Sequence, residues 1–264
     1  SPEPEQDEPD AIAGIGEPKA LKAALIAEAK AQGRAVTPAA IEAATRAILN
    51  AREIRATLAA VRAAGSEVEY RACDVRDGAA VERLVAEVTA SHGRIDGLIH
   101  GAGILEDKLI LDKTPESFDR VLRTKTDSAF ALAKALDPDA LKFAIFFASV
   151  AGRFGNRGQG DYGAANEIVS KLARQLNALW PARVKAISWG PWDGGGMVTE
   201  EIRAQFAQLG IEPIPPELGV QALEREIIFG PDDEPEVVWG RGPWEQDMRR
   251  HSEEHAPGLR EAAE

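Results

Sequence analysis

After Gly65 the chain alternates between short apolar runs and amphipathic helical stretches, and this alternation limits its fold more than any other feature. EVEYRACDV (67–75), GLIHGAG (97–103), FAIFFAS (143–149), RVKAISWGP (183–191) and EVVWGRG (236–242) read as strands. Between them, 79–93, 114–136, 161–180 and 215–230 read as helices. Strands apolar on both sides, separated by helices, belong to a parallel sheet covered on both faces. The predicted architecture is therefore α/β: a Rossmann-like, doubly wound parallel sheet with helices on both faces.

The chain before Gly65 has a different character. Residues 1–17 carry six carboxylates, three prolines and no basic residue, which reads as an acidic, solvated linker. Helical stretches follow, one ending at Gly33 as a C′ glycine and one entered by Thr37 as N-cap with Pro38 at N1. Asn50 marks a candidate break in the second. The net charge of −12 leaves no basic patch for nucleic acid. No apolar run is long enough to span a bilayer, and a single cysteine, Cys73, permits no intrachain disulfide. A cytoplasmic, soluble protein with no membrane or nucleic-acid partner is the expectation. His92 and His100 have no ligand partners at metal spacing, so no metal is expected.

In a doubly wound sheet, functional groups gather at the carboxyl ends of the strands. Those ends read Cys73-Asp74-Val75, His100-Gly101-Ala102-Gly103, Ala148-Ser149-Val150 and Trp189-Gly190-Pro191-Trp192. Ser149 closes an apolar strand, so its hydroxyl is expected in the crevice. Tyr162 begins a helix, and Asn166 follows at i+4 on the same face. Lys125 lies on the apolar stripe of its helix, among Phe118, Val121, Leu122, Ala129, Leu132 and Leu136. A lysine on a core-facing stripe is costly unless its ammonium is paired or reaches a wet site. Beside a phenol, that ammonium is expected to lower the tyrosine pKa.

HGAG, the FASVAGRFGNRGQGDYGAAN block and the WGPWDGGGM block resemble the ketoreductase domains of type I polyketide and polyunsaturated-fatty-acid synthases, in the short-chain dehydrogenase/reductase superfamily. The similarity covers roughly 53–240. It is most specific in asparagine four residues after Tyr162, with the lysine on the preceding helix. It implies NADPH-dependent reduction of a β-ketoacyl thioester on acyl carrier protein, beside other synthase domains. Tyr162 would give a proton to the developing alkoxide, and Ser149 would hydrogen-bond the same oxygen. Lys125 would hold the tyrosine and cofactor ribose, while Asn166 would orient the lysine or a relay water. The same resemblance places Asp74 and Val75 at the adenine, Gly101, Ala102 and Gly103 at the ribose and nicotinamide, and Pro191 and Trp192 beside the nicotinamide. Residues 194–197 would begin a lid, and Leu105-Glu106-Asp107 is similar to the LDD signature of B-type ketoreductases.

The expected domains are the linker 1–17, a helical insertion 18–52, a catalytic domain 53–244 and a charged tail 245–264. The catalytic domain departs from the family in lacking a glycine-rich strand–turn–helix for the pyrophosphate. Gly14-Ile15-Gly16 has no third glycine and sits among carboxylates. In the family's strand order, 3-2-1-4-5-6-7, the first βαβ unit separates 67–75 from 97–103. A preceding segment of the same polypeptide, or a companion chain, is expected to supply it. Competing readings are a catalytically silent synthase domain and a free-standing short-chain dehydrogenase.

Overall fold

The computed structural model describes residues 8–9, 11–34, 36–194 and 200–244. It divides into two compact units, 1–74 and 75–264. The first unit holds α1 (Pro18–Ala31) and α2 (Pro38–Ala63). Thr37 caps α2 through its hydroxyl, with Pro38 in the first turn. Gly33, just past α1, takes φ +65°. The helix α2 runs unbroken through Asn50, which an asparagine in a helix interior permits at modest propensity loss. Within the segment expected as a solvated linker, Ile12 is 4% exposed and Glu8 forms a bidentate pair with Arg52.

Residues 67–75, expected as a strand, pair with no strand; 66–74 have no regular structure and Val75 begins a turn. Asp74 and Val75 therefore do not close a strand. The physical reason is that strand geometry persists only where a neighbour accepts and donates the backbone hydrogen bonds.

The second unit contains α3 (Gly78–His92), β1 (Gly97–His100), α4 (Pro115–Ala135), β2 (Phe143–Ser149), α5 (Val150–Phe154), α6 (Gly160–Leu179), β3 (Arg183–Trp189), α7 (Glu200–Gln208), α8 (Pro216–Ile228) and β4 (Glu236–Trp239). The four strands form one parallel sheet in the order β1-β2-β3-β4, which corresponds to strands 4-5-6-7 of the expected order.

Strand alternation sends side chains to opposite faces. On one face Ala144, Phe146, Ala148, Val184 and Ala186 pack against Ala129 of α4 and Val169, Leu172, Ala173 and Leu176 of α6. On the other, Ile145, Ile187 and Trp189 pack against Ala222 of α8. Helices thus cover both faces. Thr114 caps α4 and Asp77 caps α3, each through a side-chain oxygen. Among the described residues, no helix is long and apolar enough to cross a membrane.

Candidate active site

Two adjacent strand ends and the helices that follow them build the site. Ser149 ends β2, and its Oγ accepts the Ala151 N–H at 3.2 Å, capping α5. The short α5 folds against α6 closely enough that a Cβ on Gly152 would lie 2.9 Å from the Asn166 Cβ. Tyr162 occupies the first turn of α6. Ser149 and Asn166 are close enough to its phenol to influence the phenol's acidity. Asn166 is fully buried and donates from Nδ2 to the Tyr162 carbonyl at 2.7 Å, as i+4 spacing allows. Its Oδ1 is buried without a hydrogen-bond partner.

Lys125 is 4% exposed, and its Nζ donates to the Phe147 carbonyl at 2.7 Å. Phe147 lies two residues before Ser149 on β2, so the ammonium is tied to the strand that carries the hydroxyl. The Gly103 side of the site is equally close: a Cβ there would meet Lys125 Cε at 3.2 Å. Below it, His100 Nε2 and Ser128 Oγ are 2.7 Å apart. The serine hydroxyl points to backbone carbonyls of its own helix, so the imidazole nitrogen is the donor. Burial, aided by the Lys125 charge, pushes the His100 pKa down to about 4 and keeps the ring neutral.

Desolvation lowers the Lys125 pKa to about 8, leaving it mostly cationic at neutral pH. Tyr162 shifts upward, chiefly through burial, with Ser149 and Asn166 opposing. This corrects the expectation of a phenol lowered by the lysine: Lys125 is not among the groups that move it. The phenol rests in its protonated form, which is the form a proton donor requires.

Gly101 and Gly103 are exposed at the end of β1 with Ala102 half-buried between them, and a Cβ on Gly101 would meet nothing. Trp192 packs edge-on to Trp189 at 4.9 Å and lies against Gly219 of α8, with Pro191 half-buried before it. Asp74 belongs to the first unit and Val75 to the second. Of residues 194–197, expected to begin a lid, only Gly194 is described; 195–197 lie outside the described residues. Glu106 accepts from Ser117 Oγ at 2.6 Å and from Arg120 at 2.7 Å, which together hold its pKa at about 2. Asp107 accepts from Gln159 at 2.8 Å, joining the 105–107 segment to the loop before Tyr162.

Sequence reasoning passed over Lys113 and Asp161, whose side chains are each 1% exposed and form a buried ion pair. The available signals were a carboxylate directly before Tyr162 and a lysine directly before the Thr114-Pro115 helix start. Among the described residues, no cluster of His, Cys, Asp and Glu is arranged to hold a metal.

A nicotinamide cofactor fits one half of this arrangement. Two N–H donors of Lys125 remain beyond the one used on Phe147, the glycine-rich strand end is open, and buried Asn166 Oδ1 awaits a donor. The described residues contain no glycine-rich loop for a pyrophosphate.

The KR domain family matches residues 38–194. A polyunsaturated fatty acid synthase polypeptide from Thraustochytrium sp. is 39% identical over 227 residues, 84% of this chain and 8% of that protein. The chain spans a tenth or less of the length of the curated relatives it matches. Among solved structures, a ketoreductase domain from the bacillaene assembly line superposes with TM-score 0.64 at 33% identity, covering 83% of this chain and 50% of that one. The ketoreductase from the first module of phoslactomycin biosynthesis in Streptomyces sp. HK803 gives TM-score 0.65 at 31% identity, covering 71% and 43%.

Proposed function

The chain belongs to the KR domain family, the ketoreductases of polyketide and polyunsaturated-fatty-acid synthases within the short-chain dehydrogenase/reductase superfamily, and from that premise we propose that it reduces a β-ketoacyl thioester held on acyl carrier protein, using NADPH. A nicotinamide bound at the site would supply the hydride for the β-keto carbon. The chain's own residues handle the proton and the position. Ser149 and Tyr162 hydrogen-bond the carbonyl oxygen, and the Tyr162 phenol gives its proton to that oxygen as negative charge develops. Asn166 and Ser149, whose side chains favour the ionised phenol, then stabilise the phenolate. Lys125 contributes a cation, held by the Phe147 carbonyl, to the same strand end. Lys125 and Tyr162 would hold the ribose, the open backbone of Gly101, Ala102 and Gly103 would let the cofactor approach, and Pro191 and Trp192 would border the nicotinamide. Asp74 and Val75 are assigned to the adenine by resemblance.

The observation that carries this reading is the convergence of Ser149 and Asn166 on the Tyr162 phenol, with the buried Lys125 ammonium bound to the Phe147 carbonyl of the strand that Ser149 ends. We further propose that the pyrophosphate-binding strands come from another segment of the same polypeptide or from a companion chain, seated beside β1. The outer edge of β1 has no partner strand among the described residues, and Ile99 beside it is 49% exposed. Oxidation of NADPH by a β-ketoacyl-N-acetylcysteamine thioester, followed by nicotinamide fluorescence, tests the reading in the polypeptide in which this chain natively occurs. Tyr162→Phe is expected to lower kcat about 10²–10⁴-fold, the usual worth of a positioned proton donor. Unchanged turnover in that variant overturns the assigned chemistry.

A further inference from the structure

The Lys113–Asp161 pair is not one of the four groups Ser149, Tyr162, Asn166 and Lys125, yet both its side chains are buried and Asp161 directly precedes Tyr162 in the chain. Lys113 lies between a short turn at Ile110–Asp112 and the N-cap of α4. Its Nζ meets Asp161 Oδ2 and also donates to the Glu106 carbonyl at 2.6 Å. Asp161 turns its other oxygen, Oδ1, to accept the backbone N–H of Tyr162 at 2.9 Å. Around this pair the 105–108 segment is stitched to the loop before α6. Gln159 donates to Asp107 at 2.8 Å, and the Lys108 N–H donates to the Gly158 carbonyl at 2.9 Å.

Stability alone is a poor reason for such a pair. Desolvating two charges offsets most of their attraction, and well-packed apolar replacements of similar volume are often as stable or more so. What the pair does supply is direction. Asp161 is held on one side by the lysine and on the other by the amide of the residue that carries the phenol. The start of α6 is thereby locked to the 105–108 loop and to the start of α4, the helix that carries Lys125.

We propose that Lys113 and Asp161 are positioning residues for the reaction: their buried ion pair sets the backbone of Tyr162, and hence where the phenol stands relative to Ser149. The inference rests on the reading of Tyr162 as proton donor. Misplacement of a reacting group by about 1 Å is enough to cost about 10²-fold in rate, so the pair acts through geometry and not through contact with substrate.

The test uses Asp161→Asn and the apolar double variant Lys113→Met/Asp161→Leu, in the parent and in a Tyr162→Phe background, again in the native polypeptide. Cofactor affinity by nicotinamide fluorescence, thermal unfolding and kcat are read for each. Both variants are expected to lose about 10–100-fold in kcat in the parent background, with cofactor Kd unchanged. The double variant is expected to unfold at or above the parent temperature, which a purely structural pair would not separate from activity. In the Tyr162→Phe background the same substitutions should lower the residual rate less than twofold, because the group they position is gone. Equal losses in both backgrounds, a double variant that turns over like the parent, or one that does not fold overturns the proposal. If Tyr162→Phe itself leaves turnover intact, it is the proton-donor assignment that fails, a distinguishable result.

Discussion

Burial brings the Lys125 ammonium to a pKa of about 8 from 10.5, and the direction of that shift has a stability consequence. With the folded-state value below the unfolded one, the folded chain binds fewer protons between pH 8 and 10.5, so stability rises with pH across that window. Below pH 8 the full penalty is present, about 3 kcal/mol from 1.36 kcal/mol per pKa unit. Lys125→Met removes the penalty but strands the Phe147 carbonyl, at a cost of about 1–2 kcal/mol. The variant is expected to be more stable than the parent at neutral pH by about 1–2 kcal/mol and inactive. Thermal unfolding at pH 7 and pH 10 checks this; a parent–variant difference that does not shrink toward pH 10 overturns it. Tyr162 moves the other way, upward, because burial outweighs the influence of Ser149 and Asn166. Ser149, Tyr162, Asn166 and Lys125 were all legible from the sequence, since a strand end, an i+4 step and a broken apolar stripe are local patterns. The signs of their pKa shifts were not, because desolvation depends on neighbours from other segments.

At the scale of elements, the contact between α5 and α6 decides where Asn166 stands. It is a backbone-to-backbone approach: a Cβ on Gly152 would fall 2.9 Å from the Glu167 nitrogen, and one on Gly163 would fall 3.0 Å from the Ala151 carbonyl oxygen. Gly152→Ala therefore forces α5 away from α6, at a cost of about 1–3 kcal/mol as overpacking does, and displaces Asn166 with it. A lower unfolding midpoint together with reduced kcat is expected; an unperturbed variant in both measurements refutes the tight contact. The five-residue α5 carries no periodicity long enough to read from sequence. Segment 67–75 shows the opposite failure. Its alternating composition reads as a strand, but strand formation is a property of two segments, and the described residues provide no second one.

At the scale of the molecule, the sheet of the second unit ends at β1, whose outer hydrogen-bonding edge has no partner strand among the described residues, and Ile99 is 49% exposed on the face it shares with Ile145. An open edge beside exposed apolar surface is a template for association. The isolated chain is expected to associate with rising concentration in sedimentation velocity, and Ile99→Glu to reduce that association. A parent chain that stays monomeric across the concentration range removes the case for a strand-bearing partner at β1.

The sequence by itself determined the four strands between 97 and 239, the helices α4, α6 and α8 that alternate with them, and the chemical identity of the catalytic candidates; α5 and α7 were not read from it. Hydrophobic period, caps and turn residues act over a few positions and need no distant partner. Tertiary structure alone decided which groups meet across the chain, Lys125 on the Phe147 carbonyl and Lys113 on Asp161, and left 67–75 without strand pairing among the described residues. Those outcomes depend on desolvation and on backbone hydrogen bonds between segments remote in sequence, and such energies exist only once the segments have been brought together.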